Sequence, residues 1–365
     1  MSLPAKILFV VVYILVALGI VMTYSASAVY AAHVYGNSSY FLLRQLLFAA
    51  IGTALMFAVA TTPVSFWQRN ARTVIILSIF LMIMVFLPGI GRSAGGARRW
   101  ISLGPVNFQP VEFAKIAVCL YLSDYLTRKT KIINKGGFTV FIPPLLLIMS
   151  ICSLSLLQPD LGSCFIVLVI SGILFFLAGI NLVYIGMAVM VAVPALYILV
   201  VRAPYRMSRI TAYLNPWQDP QGSGFQIIQS FLAFGLGGVH GAGLGQSTQK
   251  LFYLPSGYND FIFSILGEEL GLVGVLSTLV LYAVMLICGV QMSRRTDDDY
   301  KRLIILSIVL LIVMQALINM LVATGLVPTK GLPLPFISYG GTSLVFNLMA
   351  IGFLLCVDRS IPKRR

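Results

Sequence analysis

Residues 261–290 read FIFSILGEELGLVGVLSTLVLYAVMLICGV. Apart from Glu268 and Glu269 near one end, nothing in this run is charged. A helix needs about 20 apolar residues to cross the hydrocarbon core of a bilayer, so the run spans it with length left for tilt or projection. Working outward, comparable runs follow at 303–326 and 342–357. Others precede it at 7–30, 41–60, 73–90, 111–126, 138–156, 163–179 and 182–201. The pattern predicts an all-α, polytopic integral membrane protein of about ten transmembrane helices, one membrane domain over residues 1–365. Composition agrees: 59% of the 365 residues are hydrophobic and 10% charged, where a soluble domain is roughly half apolar and about a quarter charged. So few charges cannot tile a water-soluble surface, and the same figures exclude a disordered chain. The run at 7–30, with Lys6 before it and small residues at 25–28, imitates a signal peptide. The many spans behind it make it a retained anchor.

The formal charge is +14, from 25 Lys and Arg against 11 Asp and Glu. In a soluble chain that would point to nucleic acid; here it is first an orientation signal. One set of connections holds Lys6, then Arg69 and Arg72, then Arg128, Lys129, Lys131 and Lys135. It continues with Arg294, Arg295, Lys301 and Arg302, and ends with Arg359, Lys363, Arg364 and Arg365. Basic residues in short loops mark the cytoplasmic side, so both termini are expected inside, in keeping with an even number of spans. The five cysteines (Cys119, Cys152, Cys164, Cys288, Cys356) fall in apolar stretches and imply no disulfide framework. His33 and His240 have no ligand-spaced partner, which argues against a histidine-built metal site.

The remaining cations are not explained by orientation. Arg44 and Lys115 fall within spans, whereas Arg92, Arg98, Arg99, Arg202, Arg206, Arg209, Lys250 and Lys330 fall on the outer face. They are either solvated or headgroup-facing residues, or they hold an anionic ligand outside, for which phosphate is the natural class. Two outer connections are long, about 91–110 and, between spans 7 and 8, about 202–260. The second carries an NPWQDP cluster and the run GLGGVHGAGLG. Connections of that length in a compact protein usually carry function. The glycine run lacks the spacing of a nucleotide-binding loop and suits close backbone turns or an anion-facing nest of amides.

Ionisable groups inside a span cost several kcal/mol and need a reason. Glu112 and Lys115, three apart on one helix face, can pair as a structural clip or as part of a site. Asp160 either caps the sixth span or faces the outer cavity. Asp260, at the first turn of the eighth span, is either an N-cap or a base, and capping bonds would make it a poorer base. Glu268 and Glu269 lie roughly 12–13 Å further along the helix at about 1.5 Å per residue. That exceeds the ~5–9.5 Å between paired glycosidase carboxylates. A catalytic Asp260 would therefore work alone, its leaving group stabilised by cations.

Four ordered stretches, ARRWISLGPVNFQPVEFAK, LQPDLG, GLGQSTQKLFYLP with DFIFSILGEELG, and TKGLPLPFISYGGTSL, cover nearly the whole chain. On them the chain resembles the SEDS family (shape, elongation, division and sporulation), most closely its cell-division branch. The resemblance implies a ten-helix fold and a peptidoglycan glycosyltransferase that polymerises lipid II on the outer face of the bacterial cytoplasmic membrane, at the division site. It implies Asp260 as the catalytic acidic residue, Glu112 and Lys115 as the intramembrane pair, Asp160 as the QPDLG aspartate and Lys330 as the TKG lysine. Arg44, Arg98, Trp100, Arg206, Arg209, Lys250 and Ser338 complete the substrate-binding set expected here. The implied partners are lipid II and the undecaprenyl-pyrophosphate-linked glycan, a class B penicillin-binding protein, other division proteins and the membrane, with no nucleic acid. No cofactor is assigned; a divalent metal (magnesium or manganese) is an open option. Two departures stand out: Ser256-Gly257-Tyr258-Asn259 replaces an acidic residue and a His-Thr pair before the aspartate, and Gln109-Pro110-Val111-Glu112 replaces QPSE. The competing functions are a lipid II flippase and a division scaffold with vestigial catalysis.

Overall fold

Each of the ten apolar runs falls on a helix in the computed structural model, which describes residues 1–94, 96–104, 106–133, 138–251, 253–255 and 257–361. Lys135, Ser256, Lys363, Arg364 and Arg365, and the side chain of Lys131, lie outside the described residues. The helices are α1 (Leu3–Tyr35), α2 (Tyr40–Thr61), α3 (Val64–Met84), α4 (Pro110–Ile133), α5 (Ile142–Leu157), α6 (Leu161–Leu177) and α7 (Leu182–Val201). Next come α8 (Pro204–Leu214), α9 (Phe225–Gly237), α10 (Ile262–Ser293), α11 (Asp299–Ala323) and α12 (Gly341–Ser360). By length and composition α1, α2, α10, α11 and α12 can each cross a membrane. The 16-residue α5 and 17-residue α6 are apolar but shorter. This is a multi-pass helical membrane protein.

Local chemistry sets the ends. The Ser2 hydroxyl accepts the Ala5 amide where α1 starts, and Gly36, at φ 67°, closes it in the left-handed region that glycine enters without strain. α3 starts at Val64 behind Pro63, well before the apolar run at 73, because a helix continues through Arg69 and Arg72 until something breaks it. Of the five helices long and apolar enough to cross a membrane, α11 and α12 are the most enclosed, with 78% and 83% of their apolar windows inside the protein, against 28% for α2 and for α10, which leave apolar surface free for lipid. α12 lies close along α2: a Cβ on Gly352 would stand 2.5 Å from the Met56 carbonyl oxygen, so only a residue without a side chain permits the approach. At the opposite end from Asp260 the backbone amide of Ser2 donates to Asp358 Oδ2 at 2.8 Å and the Ser2 hydroxyl meets the other carboxylate oxygen, joining the start of α1 to the end of α12.

The long connections hold structure of their own, and the first departs from the all-α expectation. The stretch at 91–110 folds into an antiparallel sheet of β1 (Gly91–Ala94), β2 (Ala97–Leu103) and β3 (Val106–Phe108) in the order β1-β2-β3. The stretch at 202–260 is structured as well. It holds α8 and α9, and its glycine run packs into a break in α10 at Gly271 (φ 64°, ψ −163°). There the amides of Ala242 and Gly243 donate to the carbonyls of Glu268 and Glu269 at 2.9 and 3.0 Å. In return the amides of Leu272 and Val273 donate to Gly238 and Val239 at 3.0 and 3.3 Å. A broken helix at membrane depth leaves backbone groups that water cannot reach, and this exchange satisfies them. The close approach explains the glycines: a Cβ on Gly271 would stand 2.5 Å from the Val239 carbonyl oxygen.

Candidate functional site

Asp260 sits just before α10, whose N-cap is Phe261, and no side chain caps that helix. The capping role is therefore not taken, and no hydrogen bond or ion pair engages its carboxylate among the described residues. Its backbone, by contrast, is held. Asn319 Nδ2 donates to the Asp260 carbonyl and to that of Leu332, both at 2.8 Å. Ser338 Oγ donates to the carbonyl of Asn259 at 2.6 Å and accepts the Leu334 amide at 2.8 Å. Tyr258 wedges between the rings of Phe41 and Tyr30, at 4.8 and 5.6 Å between centroids. The residues that replace the family's His-Thr pair thus anchor the loop by packing and backbone bonds.

Asp260 is partly exposed by surface area, but its carboxylate lies among dense protein. Loss of water pushes its pKa up to about 6; the guanidinium groups of Arg209 and Arg99 pull it down by less, and the Asp160 carboxylate adds to the rise. The wall beside it is Gly331, where a Cβ would stand 3.5 Å from Asp260 Oδ2. The same segment ties in two cations. Arg209 Nη1 donates to the Thr329 carbonyl at 3.3 Å, and Lys330 Nζ sits 3.9 Å from the centroid of the Phe165 ring, its pKa lowered by burial.

Asp160 does cap α6, accepting the Ser163 amide at 3.1 Å and the Ser163 hydroxyl at 2.8 Å, and it still faces Asp260 closely enough to raise its pKa. Glu112 and Lys115 pair at 2.8 Å, both almost wholly buried. Lys115 also donates to Gln315 Oε1 at 2.7 Å, and Gln315 Nε2 donates to the Pro333 carbonyl at 3.0 Å. The pair therefore backs the 331–334 segment rather than opening onto the carboxylate.

Other expected residues are engaged elsewhere. Lys250 is no free outer cation: its Nζ lies 2.9 Å from Glu269 Oε1 and 3.2 Å from Ser25 Oγ. Arg98 donates to the carbonyls of Leu87 at 2.8 Å and Gly91 at 3.3 Å, closing the turn after α3. Trp100 pairs across the sheet with Arg92. Arg206 lies against the Tyr205 ring and hydroxyl, and Arg44 lies 4.7 Å over the Tyr40 ring.

Three contributors lie outside the substrate-binding set expected from sequence, although Arg99 is one of the outer-face cations named there. Arg99, whose Nε donates to the Gln158 carbonyl at 2.9 Å and whose Nη2 meets that of Pro159, reaches Asp260 where Arg98 does not. In a strand, neighbouring side chains point to opposite faces, so reading ARRW as a loop gives no means to separate the two. Gln315 and Asn319 carried a legible signal: two amides four apart on one face of an apolar helix.

The family described as cell cycle protein, FtsW/RodA/SpoVE, matches residues 5–362. The chain belongs to that family. It is 41% identical over 358 residues to stage V sporulation protein E of Bacillus subtilis, covering 98% of this chain and 97% of that protein. It is 43% identical over 344 residues to a probable peptidoglycan glycosyltransferase FtsW of Geobacter sulfurreducens, with 94% and 92% covered. Among solved structures it superposes on a chain of a peptidoglycan synthase complex that coordinates polymerization and crosslinking, with TM-score 0.78, 30% identity and 98% of each chain covered. The rod shape determining protein RodA of Thermus thermophilus gives TM-score 0.71 at 27% identity, with 98% of this chain and 97% of that one covered.

Proposed function

We propose that this chain is a peptidoglycan glycosyltransferase that polymerises lipid II at the outer face of the cytoplasmic membrane during division. Its family membership and its relatives' names support the activity. The observation that carries the site is the uncapped carboxylate of Asp260, raised to about 6 by burial with the Arg209 and Arg99 guanidiniums nearby. In this reading Asp260 takes the proton from the 4-hydroxyl of lipid II as that oxygen bonds to the anomeric carbon of the growing strand. The bond from that carbon to the pyrophosphate oxygen breaks, and the cations receive the charge that develops on the departing lipid pyrophosphate. One direct displacement inverts the anomeric centre and gives a β-linked strand.

The ten helices over the apolar runs, the basic inner connections and the position of Asp260 support ten spans with both termini cytoplasmic and the site outside. α8, with Arg206 and Arg209 beside exposed Tyr205 and Met207, suits the outer headgroup region. A class B penicillin-binding protein is the expected partner for crosslinking. A resident metal does not fit: among the described residues no group of three or more His, Cys, Asp or Glu can hold one. A divalent ion would have to draw most of its ligands from pyrophosphate and water, and no step is assigned to it.

The broken α10 is a feature of transporters, which place cargo on the groups freed by such breaks. Here Ala242, Gly243, Gly238 and Val239 take those groups up, so the break does not favour a flippase. The test is to purify Asp260→Asn with its transpeptidase partner and resolve lipid II products on gels. Polymer formation should fall by at least about 100-fold, the usual contribution of a positioned base. Near-normal polymer would remove Asp260 from this role.

A further inference from the structure

Asp260 has no side-chain bond to fix where its carboxylate points, and the short helix it leads, from Ile262 to the break at Gly271, is uncoupled from the rest of α10. Its near end is tied by Asn319 and Ser338 to the backbone of Asp260 and Asn259, so its tilt and rotation depend on what grips its far end as well. Both carboxylates there are gripped. Glu268 accepts the Ser247 hydroxyl, the Thr248 amide at 2.8 Å and the Thr248 hydroxyl at 2.9 Å, with the Gln249 amide at 3.4 Å. Glu269, with a fully buried side chain, is paired with Lys250, itself only 7% exposed, and accepts Ser25 of α1 at 2.6 Å. The turn over Ser247–Lys250 that both carboxylates hold is the start of the segment that returns to Asp260. The two ends of the segment 247–260 are therefore clamped through one helix of about two turns.

We propose that the Lys250–Glu269 ion pair, seconded by Glu268 on the Ser247–Gln249 turn, is a positioning device that indexes the short helix and so aims Asp260 at the Gly331 wall. The inference rests on Asp260 being the base, but the aim of its side chain can be measured without catalysis. A buried ion pair is seldom retained for stability, since a neutral pair of similar size often serves as well. Its value here is geometric. Lys250 and Glu269 join α1, the Ser247–Lys250 turn and the short helix at a point where a small rotation swings the leading residue. Misplacing a reacting group by about 1 Å can cost on the order of 100-fold in rate.

The experiment compares the native chain, Lys250→Arg, Lys250→Met and the double variant Lys250→Met/Glu269→Gln. The double variant removes both charges of the pair, so Glu269 leaves no uncompensated buried charge, and Glu268 keeps its bonds to the Ser247–Gln249 turn. Aim is read by placing Asp260→Cys with Gly331→Cys in each background and timing disulfide formation under copper phenanthroline. The native cysteines are all buried. In the double variant the crosslink should form at least about fivefold more slowly, since the bond tolerates little displacement of its Cβ atoms.

Catalysis is read in the same backgrounds with Asp260 intact. kcat should fall on the order of 10- to 100-fold with KM within about threefold, and Lys250→Arg should restore it. The acidic limb of the rate profile should also move from about 6 toward the ordinary carboxylate value as Asp260 gains water. A double variant that crosslinks at the native rate overturns the positioning role. A slowed crosslink with native polymerisation would instead uphold the clamp and sink Asp260 as the base.

Discussion

At the scale of single residues, the titration of Asp260 links structure to rate. A base must be deprotonated, and burial holds this carboxyl protonated up to about 6. Polymerisation should therefore fall as pH drops through that value, giving an acidic limb in kcat/KM near 6 that Asp260→Asn lacks. The neighbours fix the sign of further shifts. Arg99 favours the charged form, so Arg99→Gln should move the limb upward; Asp160 disfavours it, so Asp160→Asn should move it downward. Initial rates of lipid II consumption between pH 4.5 and 8 measure both. Asp260 could be singled out from sequence because an acid at the first turn of an apolar span demands a reason. Its lack of a cap, and its cation being Arg99 rather than Arg98, could not. Both depend on backbone direction, which a run of letters read as a loop does not contain.

At the scale of elements, the decisive object is the break in α10. The apolar run at 261–290 predicts one continuous span, because hydropathy registers that Gly271 is tolerated and says nothing of its φ. The glycine run at 235–245 suggests close turns or an anion-facing nest; the close turns form, and its amides go to the carbonyls of Glu268 and Glu269 rather than to an anion. The two segments make sense only together, since each supplies the backbone partners the other lacks. Gly271→Ala should therefore be costly. Its backbone lies where a side chain is strained, worth about 1–3 kcal/mol, and the new methyl would strike the Val239 carbonyl. Thermal unfolding of the detergent-solubilised protein should show a Tm several degrees below native, whereas Gly235→Ala, where a Cβ meets nothing within 4 Å, should not.

For the whole molecule, the inventory of helices was readable because each long apolar run has to be buried or face lipid. The sheet at 91–108 and the inward-packed glycine run were not, because the short strands and turns within these long connections carry no periodicity long enough to read. Orientation is tested directly. With the five native cysteines buried, Trp217→Cys in the exposed turn after α8 should react with a membrane-impermeant maleimide on intact cells. Lys129→Cys, near the other end of α4, should react only after permeabilisation. The clasp of Ser2 on Asp358 has a practical side at this scale. It keeps the beginning of the first helix and the close of the last beside one another on a single face, where Lys301 Nζ also reaches the Ser360 carbonyl. Fluorescent proteins fused at both ends would exchange energy within one molecule. A strong transfer signal from such a doubly tagged reporter thus says nothing of self-association, and counting copies at a septum calls for labels carried on separate molecules.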